Sequence, residues 1–562
     1  MNILKLSILT AFLFMAGCST DRIAGNTSSE TTNGVVAVIH NPDGAAAAGA
    51  VVRLRRADYL AAVPSLSKTS GIIGIDARTD SNGCVRITGI DSGSYALEIS
   101  DPGMRRALLL PCTVADTVVN LGTATVRPYA TVTGSIQTTG STSSSRYVQV
   151  YGMERLVVVG ATGVFTIGDL PAGTLRLRIV LEDTTRAPLT IDSVRTVAGS
   201  TTDIPMADWQ FSKRLYLNTT LSGANVAGDV AGFPLLVRLD SAAFGSAAAA
   251  SLYFGQMRDS GQDIRFVNSL GVLLPHEIEQ WDRVKRQAVL WVGMDTVHGN
   301  DSAQYLTVYW GNQTVGMQSR GDAVFDTADG FSAVWHLGQE AAGTSGASVY
   351  RDATANAFHG ADFVSATGQT GIIGNGHRLN RLAGDYIDLG QNRNFVSGAS
   401  QVTLEAWCNV DSNDSAGMIL THSLDNPADP GLSYAYIMVH GRVTVGARIS
   451  AAGPVDQTIS TTQRLIPGNW NHIVAVIKYD TDSAYIYVNG TVWSAGIISF
   501  DATATVGAVS TMSVAGSQEQ PHQAFFGGML DELRTQRVGR NAAWVKLSYE
   551  NQRADQKLNF WK

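Results

Sequence analysis

From Asn33 onward, apolar and polar residues alternate with a period of two, in short runs broken by Gly, Asp and Asn. Alternation of this kind puts successive side chains on opposite faces of a strand, so the pattern predicts an all-β chain. Residues 49–54, 79–87 and 93–99 form one such set. Within it, Asn82-Gly83 between two alternating runs reads as a hairpin turn, because the turn needs φ > 0 and glycine supplies it. The set recurs at 134–136, 162–167 and 170–177, with the glycine pairs 83/93 and 163/173 equally spaced. The repeat predicts two tandem copies of one small β-sandwich, over 34–127 and 128–206. A composition shift near Asp208 opens a third β-domain over 208–313. The block 330–540 is longer and carries the many short strands and turn signals of a jelly roll. In its run 402–410, Val402, Leu404, Ala406, Cys408 and Val410 share one face, and Thr403, Glu405, Trp407 and Asn409 the other. Asn541 then caps a short helix in the tail 541–562, which is expected to pack back on the sandwich as a latch.

The 562 residues are enough for several domains. Only 16% are charged, 57 are Gly and 44% are apolar, which excludes both a disordered chain and a coiled coil. A formal charge of −7 leaves no basic excess to neutralise phosphates, so nucleic acid is excluded as the main partner. Four cysteines are too few for a disulfide scaffold. Cys84 and Cys112 both fall in the first sandwich and can pair in an oxidising compartment if their Cβ atoms approach.

At the N-terminus, Lys5 precedes an apolar run over 6–15, too short to cross a bilayer, which needs about 20 residues. It reads as a signal peptide over 1–18. Its close, Ala16-Gly17-Cys18, resembles the lipobox of bacterial lipoproteins, with Met15 where that family usually has Leu. The resemblance implies diacylglycerol on the Cys18 sulfur and anchorage in the cell envelope by acyl chains. Ser19 after the cysteine favours the outer membrane or cell surface under lipoprotein sorting rules; an ordinary secretory signal is the alternative. Residues 19–33, rich in Ser, Thr, Gly and Asn, read as a flexible tether.

The two small sandwiches resemble carboxypeptidase regulatory-like domains, a likeness that implies spacers or accessory modules. The blocks 209–214, 233–239, 263–266, 274–281, 288–292 and 305–312 resemble the domain-of-unknown-function family 2341, which implies no chemistry. This third domain holds Glu277, Glu279 and Asp282, similar to the Glu-x-Asp-x-x-Glu signature of laminarinase-like glucanases but with the acids in a different order. Retaining glycosidases set two carboxylates about 5–5.5 Å apart, and 277 and 279 would share a strand face. The competing reading is a solvated strand face. His276-Glu277 begins a His-Glu-x-x-His motif, but Gln280 takes the second histidine's place, so that zinc site is ruled out.

In the last block, residues 386–390, 402–410, 468–475, 485–490 and 526–534 together resemble the laminin-G-like, concanavalin A-like lectin/glucanase superfamily. The resemblance implies lectin-type recognition, with Trp407, Tyr485 and Tyr487 either stacking on a sugar or filling the second side of a bent sheet. It also implies a calcium site at the sandwich rim, for which Asp352, Asn356 and Asp531 are the best ligand set, against the alternative of metal-free turns. No phosphate loop, Gly-x-Ser-x-Gly elbow or Cys-x-x-Cys pair is present, so no catalytic residue is assigned. The chain reads as a lipid-anchored envelope protein that binds a glycan without catalysis. An envelope structural or protein-binding component is the alternative, and a glycoside hydrolase using Glu277 and Glu279 the second alternative.

Overall fold

The computed structural model describes residues 33–62, 74–136, 146–180, 188–204, 209–339, 348–365, 369–391, 395–396, 398–412, 417–424, 435–448, 456–497, 511–515 and 524–561. The leader, Cys18 and the tether up to residue 32 lie outside them. Strands dominate, and the chain divides into two compact units, 1–209 and 210–562. Among the described residues no helix is long and apolar enough to cross a membrane.

In the first unit the repeat expected from the glycine spacing has a topological counterpart. Gly34–His40 lies between Cys84–Thr88, antiparallel, and Val118–Thr125, parallel. Ala130–Ser135 lies in the same way between Val164–Leu170, antiparallel, and Thr201–Ile204, parallel. A five-stranded sheet closes the first sandwich and a four-stranded sheet the second. Arg155 bonds Glu98 at 2.7 Å and Arg55 bonds Glu154 at 2.5 Å between the two.

Two expectations are corrected here. Gly83 does turn at φ 74°, but the strands on either side, Gly74–Arg78 and Cys84–Thr88, pair in different sheets. The Asn82-Gly83 turn is a corner between sheets, held by Asp80, whose Oδ1 accepts from the amides of Asn82 and Cys84, both at 2.8 Å. Nor do Cys84 and Cys112 pair. Cys112 is a free, buried thiol in the sandwich core, whereas Val85 and Ile87 take the inward positions of the other strand and turn Cys84 outward.

The second unit begins with a sandwich of a five-stranded and a three-stranded sheet. The five run in the order Leu273–Leu274, Arg265–Asn268, Tyr305–Trp310, Phe211–Leu217 and Asn559–Trp561; the three are Val230–Leu239, Gln287–Val297 and His276–Asp282. The final strand of the chain thus completes a sheet begun near residue 211. An alanine-rich helix, Ala247–Gln256, which the alternation did not announce, is capped by Ser246, whose side chain accepts from the Ala249 amide at 3.1 Å.

The jelly roll follows as two eight-stranded sheets enclosing one apolar core. Val402, Leu404, Ala406, Cys408 and Val410 all enter that core, as the alternation predicts. The opposite face of the same sheet is largely covered. Val474, Val476 and Tyr487 join Leu236 and Trp291 of the preceding sandwich and Trp544, Val545 and Leu547 of the helix Ala542–Gln552 in one continuous apolar cluster. That helix is capped by Asn541, which accepts from the Trp544 amide at 2.8 Å.

The helix is the wedge between the two sandwiches. Asn551 uses its side-chain amide as a strand would, accepting from Leu236 N at 2.7 Å and donating to Leu236 O at 3.1 Å, and so covers the edge of Val230–Leu239. Arg238 donates to the carbonyls of Gln552 at 2.6 Å and of Asn551 and Arg553 at 3.5 Å, the charge sign that a helix C-terminus favours. Trp544→Ala should therefore cost about 3–5 kcal/mol of second-unit stability. Chemical denaturation of the full chain checks this: the second unit's midpoint falls while the first unit's stays in place.

Candidate functional site

Three of the sequence's charged candidates, Glu277, Glu279 and Asp531, lie at the seam between the two sandwiches of the second unit. Glu277 and Glu279 come from the strand His276–Asp282, His336 from the segment after Phe331–Trp335, and Asp531, Glu532 and Arg534 from Gly528–Gln536. Local backbone irregularity brings them together. Glu532 sits at φ 50° where the strand's register shifts, so both Asp531 and Glu532 turn away from the jelly-roll core while Leu530 and Leu533 enter it. Glu277 and Glu279, two apart on their strand, both reach the seam, across a register shift between Ile278 and Gln280.

The resulting chain of contacts is continuous. His336 Nδ1 lies 2.6 Å from Glu532 and 3.7 Å from Glu279, and its Nε2 lies 3.2 Å from Glu277. Glu532 Oε2 accepts from Arg534 at 2.8 Å, and the guanidinium carbon lies 4.6 Å from the ring centre of Trp291. Trp291 in turn stacks on His336 and donates to Glu279 at 2.8 Å. On the far side of Arg534, Glu405 lies 3.7 Å from its Nη1 and bonds His472 at 2.8 Å and the Ser548 hydroxyl at 2.8 Å. Gln552 closes the series, accepting from Trp407 Nε1 at 2.6 Å and donating to Ser548 at 2.7 Å.

Dry surroundings sharpen these charges. Burial would raise the Glu405 carboxyl, but Arg534 and His472 more than offset it and hold it at about 2. Burial works against the His336 imidazolium too, yet Glu532, Glu277 and Glu279 keep it well above the usual histidine range. Glu279 is pushed up to about 8, by burial first, with Glu532 and Glu277 adding to it. Asp531 is raised well above the carboxylate range by burial and by Glu532. The seam thus favours the charged forms of Glu405, Glu532, His336 and Arg534 and disfavours those of Glu279 and Asp531.

Glu279, His336 and Glu532 present ligand-type atoms within 4.8 Å of one another. Both oxygens of Glu532 are nonetheless engaged, one by His336 and one by Arg534, so two protein cations stand where a metal would. The carboxylates of Glu277 and Glu279 converge on one imidazole, the geometry of an ionic joint. Asp282, on the same strand, folds back to the turn and accepts from the Lys285 amide at 2.8 Å. His276 is buried, with its imidazole held to about 4 by burial and by Arg265.

The metal and sugar candidates are placed differently from expectation. Asp352 spends both oxygens within its own region, accepting from the amides of Val334 at 2.9 Å, Thr354 at 3.0 Å and Phe358 at 2.9 Å and from the Thr354 hydroxyl at 2.9 Å. Asn356 donates to Ser332 O at 2.8 Å, and Asp531 accepts from the amides of Ile372 and Ile373 at 2.9 and 3.0 Å. Each of the three clips a loop, and the lone pairs a calcium ion would use on Asp352 are already taken. Trp407 is 2% exposed beneath the C-terminal helix and Tyr487 is buried in the seam cluster, so neither presents a ring face to a sugar; Tyr485 is half-buried and packs against that cluster.

An aromatic feature stands on the other sheet. Ile387 and Leu389 point into the jelly-roll core, so Tyr386 and Asp388 alternate to its outer face, and the half-buried Phe363 pairs with Tyr386 across the strands. The two rings stack with centroids 4.7 Å apart and planes 6° from parallel. Burial, and then Asp388, raise the Tyr386 hydroxyl, so carboxylate and phenol share one patch. None of the three is among the candidates read from the sequence; the alternation through 386–390, which puts Tyr386 and Asp388 on one face, is the signal that could have found two of them, and nothing local announces Phe363 as their neighbour.

Residues 381–546 match the family model described as "Concanavalin A-like lectin/glucanases superfamily", and residues 260–338 that described as "Domain of unknown function (DUF2341)". No curated protein matches the chain. Among solved structures, a native heptameric SAP-like pentraxin from Limulus polyphemus is similar at 15% identity and TM-score 0.23, over 28% of this chain and 72% of that one. Domain 4 of AbnA, a GH43 extracellular arabinanase from Geobacillus stearothermophilus in complex with arabinotriose, is similar at 17% identity and TM-score 0.30, over 39% and 97%. The CBM40 of a Ruminococcus gnavus IT-sialidase bound to α2,3 sialyllactose is similar at 11% identity and TM-score 0.24, over 27% and 83%.

The shifted groups fix how the joint responds to pH. Glu405 is depressed from an ordinary 4.5 to about 2, so its stabilisation is present above about 4.5 and is lost as pH falls towards 2. Glu279 and His336 are raised, so the folded state binds more protons than the unfolded one, and stability declines as pH rises from about 4.5 through 8. Melting of the full chain against pH should show the second unit most stable near pH 4.5, with a decline on either side. In Glu279→Gln the decline towards pH 8 becomes shallower; an unchanged slope would contradict the assignment.

Proposed function

We propose that the chain is a carbohydrate-binding protein of the cell surface, held by lipid on Cys18, whose jelly roll takes its ligand on the sheet that carries Phe363, Tyr386 and Asp388. One observation carries this reading: the other sheet is consumed by the seam, while this one turns a ring stack beside a carboxylate to its outer side. Aromatic faces stack on the CH side of a sugar ring, and a neighbouring carboxylate accepts from its hydroxyls. The concanavalin A-like match over 381–546 supports lectin-type recognition. The two small sandwiches act as a spacer, in keeping with their likeness to carboxypeptidase regulatory-like modules.

The reading is of binding without hydrolysis. Glu277 and Glu279, the pair a glycosidase would need, lean on His336 within the seam. Affinity electrophoresis of the full chain through polysaccharide gels should show retardation by at least one polymer. Tyr386→Ala should weaken that binding about tenfold, equivalent to ~1.4 kcal/mol, with melting unchanged and no reducing ends released by either protein. Equal retardation of the variant would remove the site.

Lipidation is tested separately by metabolic labelling with an alkyne fatty acid. Label should enter the wild-type chain and be absent from Cys18→Ser, which should shift from the membrane to the soluble fraction.

A further inference from the structure

A cleft of 460 Å³ opens at the end of the first sandwich of the second unit, away from the jelly roll's ring stack. Its volume falls in the range of small-molecule sites, about 300–1,000 Å³. The two sheets build it from opposite sides. Phe211–Leu217 and Asn559–Trp561 contribute Lys213 and Trp561, and the exit of Val230–Leu239 contributes Arg238, Asp240 and Phe244. Ala242, Ala243 and Gly245 are small enough to leave the space open. One wall is aromatic: the Phe244 and Trp561 ring centres lie 5.5 Å apart at 42°.

The polar groups have capacity left over. The only described interaction of the Lys213 ammonium is with the Tyr253 ring, 5.9 Å away, so it has no carboxylate partner among the described residues. Asp240 uses Oδ1 on the Ala243 amide at 2.7 Å and leaves Oδ2 without a described partner. Arg238 spends its N–H groups on carbonyls, and the carboxyl groups of Glu279, Asp240, Asp531 and Glu532 act on its charge. Lys213 is thus the cation of the lining that has no carboxylate partner among the described residues.

We propose that this cleft is a second saccharide site, selective for a carboxylate-bearing sugar residue. The sugar's apolar face lies on Phe244 and Trp561, its carboxylate meets Lys213, and its hydroxyls donate to Asp240 Oδ2. The aromatic wall argues against a bare inorganic anion, and the Lys213 ammonium without a carboxylate partner argues against a neutral sugar. The proposal is independent of the jelly-roll reading, because it uses none of the same residues.

The test is calorimetric titration of the full chain with trigalacturonate, with neutral galactotriose and with inorganic phosphate. Trigalacturonate should bind, galactotriose at least tenfold more weakly, and phosphate should not displace the acid sugar at equal concentration. Lys213→Met keeps the stem length and should weaken trigalacturonate at least tenfold without moving the melting temperature; Phe244→Ala should do so as well. Tyr386→Ala should leave this binding unchanged, which separates it from the jelly roll's site. No heat with the folded wild-type chain, equal binding of the neutral trimer, displacement by phosphate, or unchanged binding in Lys213→Met would each overturn the proposal.

Discussion

A carboxylate enclosed without water must have its lone pairs met by the protein, and Glu405 is such a group. It is fully buried in the middle of a jelly-roll strand, and it is satisfied by His472 on one neighbouring strand, by Gln536 and Arg534 on the other, and by Ser548 and Gln552 of the C-terminal helix. Arg534 then brings in Glu532, Glu532 brings in His336, and His336 reaches the carboxylates of the other sandwich. The helix and both sandwiches are thereby committed to one arrangement. Removing any one charge would strand its partner in a dry place, at a cost of about 3–5 kcal/mol.

Much of this is legible in the alternation of the strands. The run 402–410 divides its residues between two faces as the sequence implied, and the inner set packs where expected. The identity of whatever covers the outer set is not local information. Thr403, Glu405 and Trp407 could equally have lined a groove, and what decides the matter is a helix some 140 residues further on, in which Ser548 and Gln552 are spaced to meet Glu405 and Trp407. Asp531 and Glu532 were obscured for a different reason. Strict alternation puts consecutive residues on opposite faces, and only the positive φ at Glu532 sends both to the seam. The Asn82-Gly83 turn misled for a related reason: a turn's dihedrals are local, but whether its arms pair with each other depends on which sheet each arm joins.

The same constraint shapes the surface. A jelly roll has two outward faces, and here one is buried against a second sandwich and sealed by the last turns of the chain. Two of the three aromatic residues the sequence offered for recognition do the sealing. Trp407 donates its hydrogen bond to Gln552 of the helix, and Tyr487 fills the apolar floor beside it. Ring faces suited to a ligand therefore lie elsewhere: on the opposite sheet at Phe363 and Tyr386, and in the cleft that the C-terminal strand helps to wall.

A seam built from apolar residues alone would be at least as stable, since burying ions costs desolvation that their attraction only partly offsets. What apolar packing does not supply is register. Val474, Val476 and Tyr487 would tolerate a shift against Leu236 and Trp291, because dispersion contacts are non-directional. The bonds to His336 and Glu405 have fixed lengths and angles, and a displacement of one residue would leave several charges unpaired together. The C-terminal strand has to meet Phe211–Leu217 in a single register for Trp561 to stand opposite Leu215 and face Phe244. The ionic joint, placed just before that strand, sets the position from which the end of the chain closes the sheet and shapes the cleft.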